Sequence, residues 1–128
     1  MTLDSSALVA ILFSEAGSLD LVDRILEADV VRIGAPTLVE TSIVFSARRG
    51  TASTREVEDL VTELGVTVAP FAEAEWHAAV AAFQRFGRGR HLAALNFGDC
   101  LAYATALVAG DTLLFVGDDF RRTDIKPA

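Results

Sequence analysis

One cysteine, one lysine and two histidines are all that this 128-residue chain carries of three chemically versatile residue types. The single cysteine, Cys100, excludes an internal disulfide and fits a reducing compartment. With His77 and His91 it offers none of the paired spacings that hold zinc. Lys126 is the only lysine and the other cations are arginines, so lysine-assisted phosphoryl chemistry has only a side chain at the extreme tail. No apolar run approaches the roughly 18 residues of a spanning helix. Met1-Thr2-Leu3-Asp4 shows no basic segment ahead of an apolar stretch, so no signal peptide is visible and a soluble, cytoplasmic protein is expected. Internal repeats, low-complexity segments and linkers are also missing. A single domain over residues 1–128 is expected, long enough to bury a core without staples.

What the chain does have is apolar bulk and acid. Hydrophobic residues make up 52% and charged residues an ordinary 23%, which predicts a layer buried on both sides and leaves apolar surface for partners. The net charge of −7 argues against simple phosphate-driven binding of nucleic acid. Either the acids form a solvated surface or several cluster and carry cations.

Strand and helix signals alternate. Leu3 suits a short strand ending at Asp4, and Ser5 or Ser6 caps an expected helix through Phe13. A second helix is expected from about Ser18, with Leu19, Val22, Ile25 and Leu26 on its apolar face. Val30 to Ile33 reads as a strand. Pro36-Thr37 opens a helix that ends at Arg48-Arg49-Gly50. A helix from about Ser53 to Leu64 leads to a strand over Val66–Ala69, and a further helix runs from about Ala72 to Phe86. After the loop Gly87-Arg88-Gly89-Arg90-His91, Asn96 caps another helix with Asp99 at its third position. Thr112–Val116 reads as a fully buried strand, and Thr123–Ile125 as a short edge strand. The alternation predicts an α/β sandwich around a mainly parallel sheet, with ligands beyond the carboxyl ends of its strands.

The acids fall where that rule points. Asp4 ends the first strand, Asp118 and Asp119 follow the strongest one, and Glu40 and Asp99 are expected in the first turns of apolar helices on one rim. Each has an ordinary structural explanation. Asp4 closes a strand, Thr37-Leu38-Val39-Glu40 matches a capping box, Asn96 and Asp99 match a reciprocal cap, and Gly117-Asp118-Asp119 is an acceptable turn. Together they imply something more, because gathered carboxylates must protonate or bind a cation. Hard oxygen donors select Mg²⁺ or Mn²⁺, and such a centre activates water for in-line phosphodiester cleavage.

Several segments resemble the PIN-domain ribonucleases, specifically the VapC toxins of bacterial toxin–antitoxin pairs. They are Asp4-Ser5-Ser6-Ala7-Leu8, Glu40, Arg90-His91, Leu95-Asn96-Phe97-Gly98-Asp99-Cys100, Tyr103-Ala104, and Leu114 to Phe120 with Thr123-Asp124-Ile125. The resemblance covers essentially the whole chain. It implies a PIN-like three-layer sandwich and Mg²⁺-dependent endonucleolytic cleavage of RNA, with Mn²⁺ as a substitute. Asp4 and Asp99 would be the main metal ligands, Glu40 would bind or orient metal water, and Asp118 or Asp119 would complete the set. Many relatives place that last acid in a Thr-x-Asp turn, so the choice stays open, with Asp118 first because it is nearer the strand end. Ser6 resembles the family's hydroxyl residue within the acidic cluster, or is only a helix cap. A homodimer and a cognate antitoxin are implied as well.

Arg85, Arg88, Arg90 and His91 form a basic patch that could hold RNA phosphates, unless the arginines simply solvate a glycine loop. Arg121 and Arg122 are similar. Trp76 and Phe83 share a stripe and are expected in the core rather than as base-stacking platforms. Tyr103, one turn after Asp99, either orients a carboxylate or packs as a ring. Two rivals remain. A doubly wound phosphatase or phospho-acceptor would want Asp-x-Asp or a nearby lysine, and Asp4 is followed by Ser5-Ser6. A silent binding module would not need acids at all four positions.

Overall fold

The computed structural model describes residues 1–52 and 54–128. In chain order the elements are β1 (Thr2–Leu3), α1 (Ser5–Leu12), α2 (Ser18–Glu27), β2 (Arg32–Gly34), α3 (Ala35–Arg49) and α4 (Arg55–Glu63). They continue with β3 (Thr67–Ala69), α5 (Glu73–Phe86), α6 (Phe97–Ala109), β4 (Leu113–Leu114) and a 3₁₀ turn at Asp119–Arg122. The strands pair in the order β3-β2-β1-β4, all parallel, with Leu3 beside Ile33 on one flank and beside Leu114 on the other. The chain builds outward from β1 to β2 and β3, then crosses back to lay β4 on β1's free side. The order therefore reverses between β1 and β4, where a crevice opens at the strands' carboxyl ends.

Helices cover both faces of the sheet, which explains the apolar surplus. On one side Leu3, Leu8, Leu21, Ile25, Ile33, Val61 and Leu114 pack together. On the other, Phe86, Leu95, Tyr103, Leu113, Phe120 and Ile125 do. Neighbours Leu113 and Leu114 thus serve opposite cores, as the pleat of a strand requires. The expected three-layer α/β sandwich is the observed one.

Several local expectations are corrected. In α2 the buried pair is Leu21 and Ile25, while Leu19 is 78% exposed and Leu26 is exposed too. The helix meets the core along a narrower i, i+4 line than its leucines imply. Trp76 is 56% exposed and Phe83 partly so, because α5 packs on α6 through the small residues Ala79 and Ala82, with Phe86. The strand expected at 30–33 lies at Arg32–Gly34, and that at 112–116 contracts to two residues with Val116 exposed. No strand forms at 123–125, where the chain bends. The β4 edge is met instead at Pro127, through Leu113 N–H to Lys126 O and Ala128 N–H to Leu113 O. The start expected for α4 at Ser53 lies outside the described residues.

That bend is fastened by side chains. The buried Tyr103 hydroxyl donates to Asp124 Oδ1 at 2.5 Å, and Arg85 Nη2 pairs with Asp124 Oδ2 at 2.8 Å while its guanidinium lies over the Phe86 ring. Burial, then the Asp124 carboxylate, pushes Tyr103 up to about 12, so it remains a donor. The bond from Tyr103, ahead of that from Arg85, holds Asp124 below the ordinary carboxylate range. The clasp joins α5, α6 and the segment behind the acidic turn. Tyr103→Phe removes one charge-assisted bond and should cost roughly 1–2 kcal/mol, a melting-point loss of about 4–8 °C by calorimetry. An unchanged melting point would show that the clasp contributes nothing.

Candidate metal-binding active site

Four acids converge on the crevice, each delivered by a different element. Asp4 leaves β1 and serves as the N-cap of α1, a role expected of Ser5 or Ser6. Its Oδ2 accepts from Ser6 N–H at 3.0 Å and from Ser6 Oγ–H at 2.5 Å. Ser6 Oγ in turn accepts from Val116 N–H at 3.0 Å, so one hydroxyl ties the ends of β1 and β4 together. Asp4 is 4% exposed, and burial, with the Glu40 charge adding to it, raises its carboxyl above the ordinary value against the pull of Ser6.

Asp99 is the third residue of α6 and shares a capping box with Asn96. Asp99 N–H donates to Asn96 Oδ1 at 2.9 Å, and Asn96 N–H donates to Asp99 Oδ2 at 2.7 Å. The cap and the site coexist, since the box fixes the angle at which the carboxylate leaves the helix. Burial lifts Asp99 to about 6, reinforced by the charges of Asp4 and Asp119 and opposed by the Asn96 bond and Arg88.

Glu40 stands in the second turn of α3, not the first. The Thr37–Glu40 capping box does not form, because α3 starts at Ala35 and buries Thr37 within the helix. The Glu40 carboxylate lies against the Cα of Gly98 in the first turn of α6.

At the end of β4 the two adjacent acids diverge. Gly117, at φ 104°, turns the chain. Asp118 then pairs with Arg121 Nε at 2.9 Å and is largely exposed, whereas Asp119 raises the Asp99 carboxyl through its charge. Among the described residues Asp4, Glu40, Asp99 and Asp119 have no ion-pair partner, while Asp118 and Asp124 each have one and Asp111 has two. Asp111 lies at the opposite rim, where its Oδ2 accepts from Thr2 Oγ–H and faces Arg32 and the N-terminal ammonium.

The four acids act on one another through their charges, and Asp4 and Asp99 are held by the neutral donors of Ser6 and Asn96; hard oxygens of this kind suit a divalent cation. As they are placed, no three His, Cys, Asp or Glu side chains among the described residues are gathered closely enough to hold one ion.

The basic residues divide. Arg85 is committed to Asp124 and the Phe86 ring. Arg88 is exposed and within electrostatic reach of Asp99. Arg90 lies over the Phe83 ring, and His91 Nδ1 accepts from Ala93 N–H with its ring edge-on to Phe86. Arg121 and Arg122, with Leu92, Asp118 and Asp119, line a groove of about 430 Å³. Sequence reasoning did not find the contact between Gly98 and Glu40, the Ser6–Val116 tie or the Asp124 clasp. Only the Gly-Asp pair inside an apolar helix signalled that a missing side chain mattered there.

The PIN domain family model matches residues 1–126, and the chain belongs to that family. It is 42% identical over 127 residues to Ribonuclease VapC36 of Mycobacterium tuberculosis, covering 98% of this chain and 91% of the relative. It is 40% identical over 126 residues to Ribonuclease VapC of Mycolicibacterium smegmatis, covering 98% and 97%. A solved structure titled as a toxin–antitoxin complex from Klebsiella pneumoniae superposes with a TM-score of 0.71 at 14% identity, over 96% of this chain and 92% of that one, which speaks to the fold alone.

Proposed function

We propose that the protein is a metal-dependent endoribonuclease, the toxin of a toxin–antitoxin pair, working as a single PIN domain. The observation that carries this reading is the convergence, at the β1/β4 switch point, of four acids with no ion-pair partner among the described residues. The VapC ribonucleases to which the chain is similar support the choice of RNA. Asp4 and Asp99 would hold Mg²⁺, with the Asp119 charge beside them, and Mn²⁺ would substitute. We prefer Asp119 to Asp118 because Asp118 is spent on Arg121. When bound, the cation would supply a water of lowered pKa and positive charge against the charge that builds up on the phosphate oxygens.

The chain's own groups do the rest. Ser6 keeps Asp4 oriented, Asn96 fixes Asp99, and the Glu40 carboxylate orients the attacking water and accepts its proton. The water oxygen bonds to phosphorus as the P–O bond breaks, and the leaving oxygen takes a proton from solvent, which gives one hydroxyl and one phosphate end. Arg88, with Arg122 flanking, meets the phosphates, and we withdraw Arg85 and Arg121 from that role because each is already paired with an aspartate. The exposed Val39, Ile43, Trp76, Val80 and Phe97 supply apolar area for protein partners, an antitoxin and a second copy of the chain. No helix among the described residues is long and apolar enough to cross a membrane.

Purified protein, offered a panel of single-stranded and hairpin RNAs with Mg²⁺, is expected to cut at least one. EDTA and Asp4→Asn should each abolish cutting. Cleavage that persists in EDTA would end the metal-dependent reading.

A further inference from the structure

Gly98 lies in the first turn of α6, between the two halves of the Asn96–Asp99 capping box. Its φ is not in the left-handed region, so the backbone there does not require glycine. Glycine in a helix is otherwise a liability, being among the poorest helix formers. What the position lacks is room. A β-carbon built on Gly98 would fall 2.5 Å from Glu40 Oε1, 2.7 Å from Oε2 and 2.8 Å from Cδ. No other atom group crowds it so closely. The obstacle is the far end of a flexible side chain, not backbone, so a methyl group there would be accommodated by moving the Glu40 carboxylate away.

We propose that Gly98 is a positioning residue for the reaction: its bare Cα seats the Glu40 carboxylate against the first turn of α6, in register with Asp99 one residue on. This rests on the metal-dependent nuclease reading of the acids. Two acids from elements far apart in sequence are brought to one place by a missing methyl group. The capping box aims Asp99, and the glycine beside it admits Glu40. A merely structural glycine would weaken folding when replaced. A seat of this kind predicts that stability and activity move in opposite directions.

The test compares Gly98→Ala, Glu40→Gln, Glu40→Asp and the double variant Gly98→Ala/Glu40→Asp in the full chain. Three quantities are read: the melting midpoint in EDTA, Mn²⁺ binding to RNA-free protein by electron paramagnetic resonance, and the RNA cleavage rate. Gly98→Ala should melt at or a few degrees above the wild type. It should bind Mn²⁺ several-fold more weakly and cut on the order of 10–100-fold more slowly, approaching Glu40→Gln. Shortening the acid relieves the crowding, so the double variant should cut roughly five-fold or more faster than the product of the two single losses allows. Wild-type cleavage and Mn²⁺ binding in Gly98→Ala overturn the proposal, as does a lowered melting point or strict additivity in the double variant. If Glu40→Gln itself cuts like the wild type, the role given to Glu40 is what fails, and the seat loses its purpose with it.

Discussion

Asp99→Asn is expected to remove RNA cleavage by on the order of 10³-fold, about 4 kcal/mol of transition-state stabilisation, while making the metal-free protein more stable at pH 7. The first half follows from losing a charged oxygen donor at the centre of the acidic set. The second follows from the cost of that charge. Burial, with Asp4 and Asp119 nearby, raises the Asp99 carboxyl from 3.8 to about 6. A carboxyl raised on folding binds protons more readily in the folded state than in the unfolded one. Its penalty is therefore absent below about pH 3.8, grows as pH rises, and is complete above about 6. The full gap would correspond to about 3 kcal/mol, and solvent around this partly exposed group reduces the expected gain to about 1 kcal/mol. Asparagine keeps an oxygen for Asn96 N–H, so the cap survives. In EDTA the variant should melt a few degrees above the wild type at pH 7 and level with it near pH 4. Added Mg²⁺ should raise the wild type and leave the variant behind, since only a folded state that binds metal gains from it. A variant less stable than the wild type in EDTA would show that Asp99 is there for the fold.

The adjacent acids after β4 should separate just as clearly. Asp119→Asn is expected to slow cleavage on the order of 100-fold, and Asp118→Asn by no more than about three-fold. Asp118 spends its charge on Arg121 in solvent, where such a pair contributes little. Asp119 adds its charge to the field at Asp99. Single-turnover rates on one RNA at saturating Mg²⁺ measure both. The reverse order of effects would return Asp118 to the site and require the 3₁₀ turn to rearrange when metal binds.

Much of this was legible in the chain because local chemistry decides it. Asn96 three residues before Asp99 can form a capping box from neighbouring atoms alone, and it does. Pro36 at the start of α3 and Gly50 at its end act through backbone angles that need no distant partner. The α/β class followed from the alternation of runs. Apolar periodicity was a poorer guide to burial. Leu19, Leu26 and Trp76 look like core residues by type but lie outside it, because α2 meets the core through Leu21 and Ile25 and α5 packs on α6 through Ala79 and Ala82. Thr37 to Glu40 has the spacing of a capping box yet forms none, because the helix begins three residues earlier off β2.

By itself the sequence determined that the chain builds a two-sided α/β core without disulfides, places acids at strand ends and helix starts, and starts α6 at Asn96, since each depends on residue type and short-range spacing. Tertiary structure alone decided which acids share one electrostatic field and which are spent elsewhere. Asp4 and Asp99 lie 95 residues apart in the chain, and only the packing of α6 against β1 brings them into one field. Asp118 and Asp119 are alike in composition and differ only in what the turn lets them reach. The seat of Glu40 on Gly98 is a contact between two helices made through an absent atom, and no spacing within either helix encodes it.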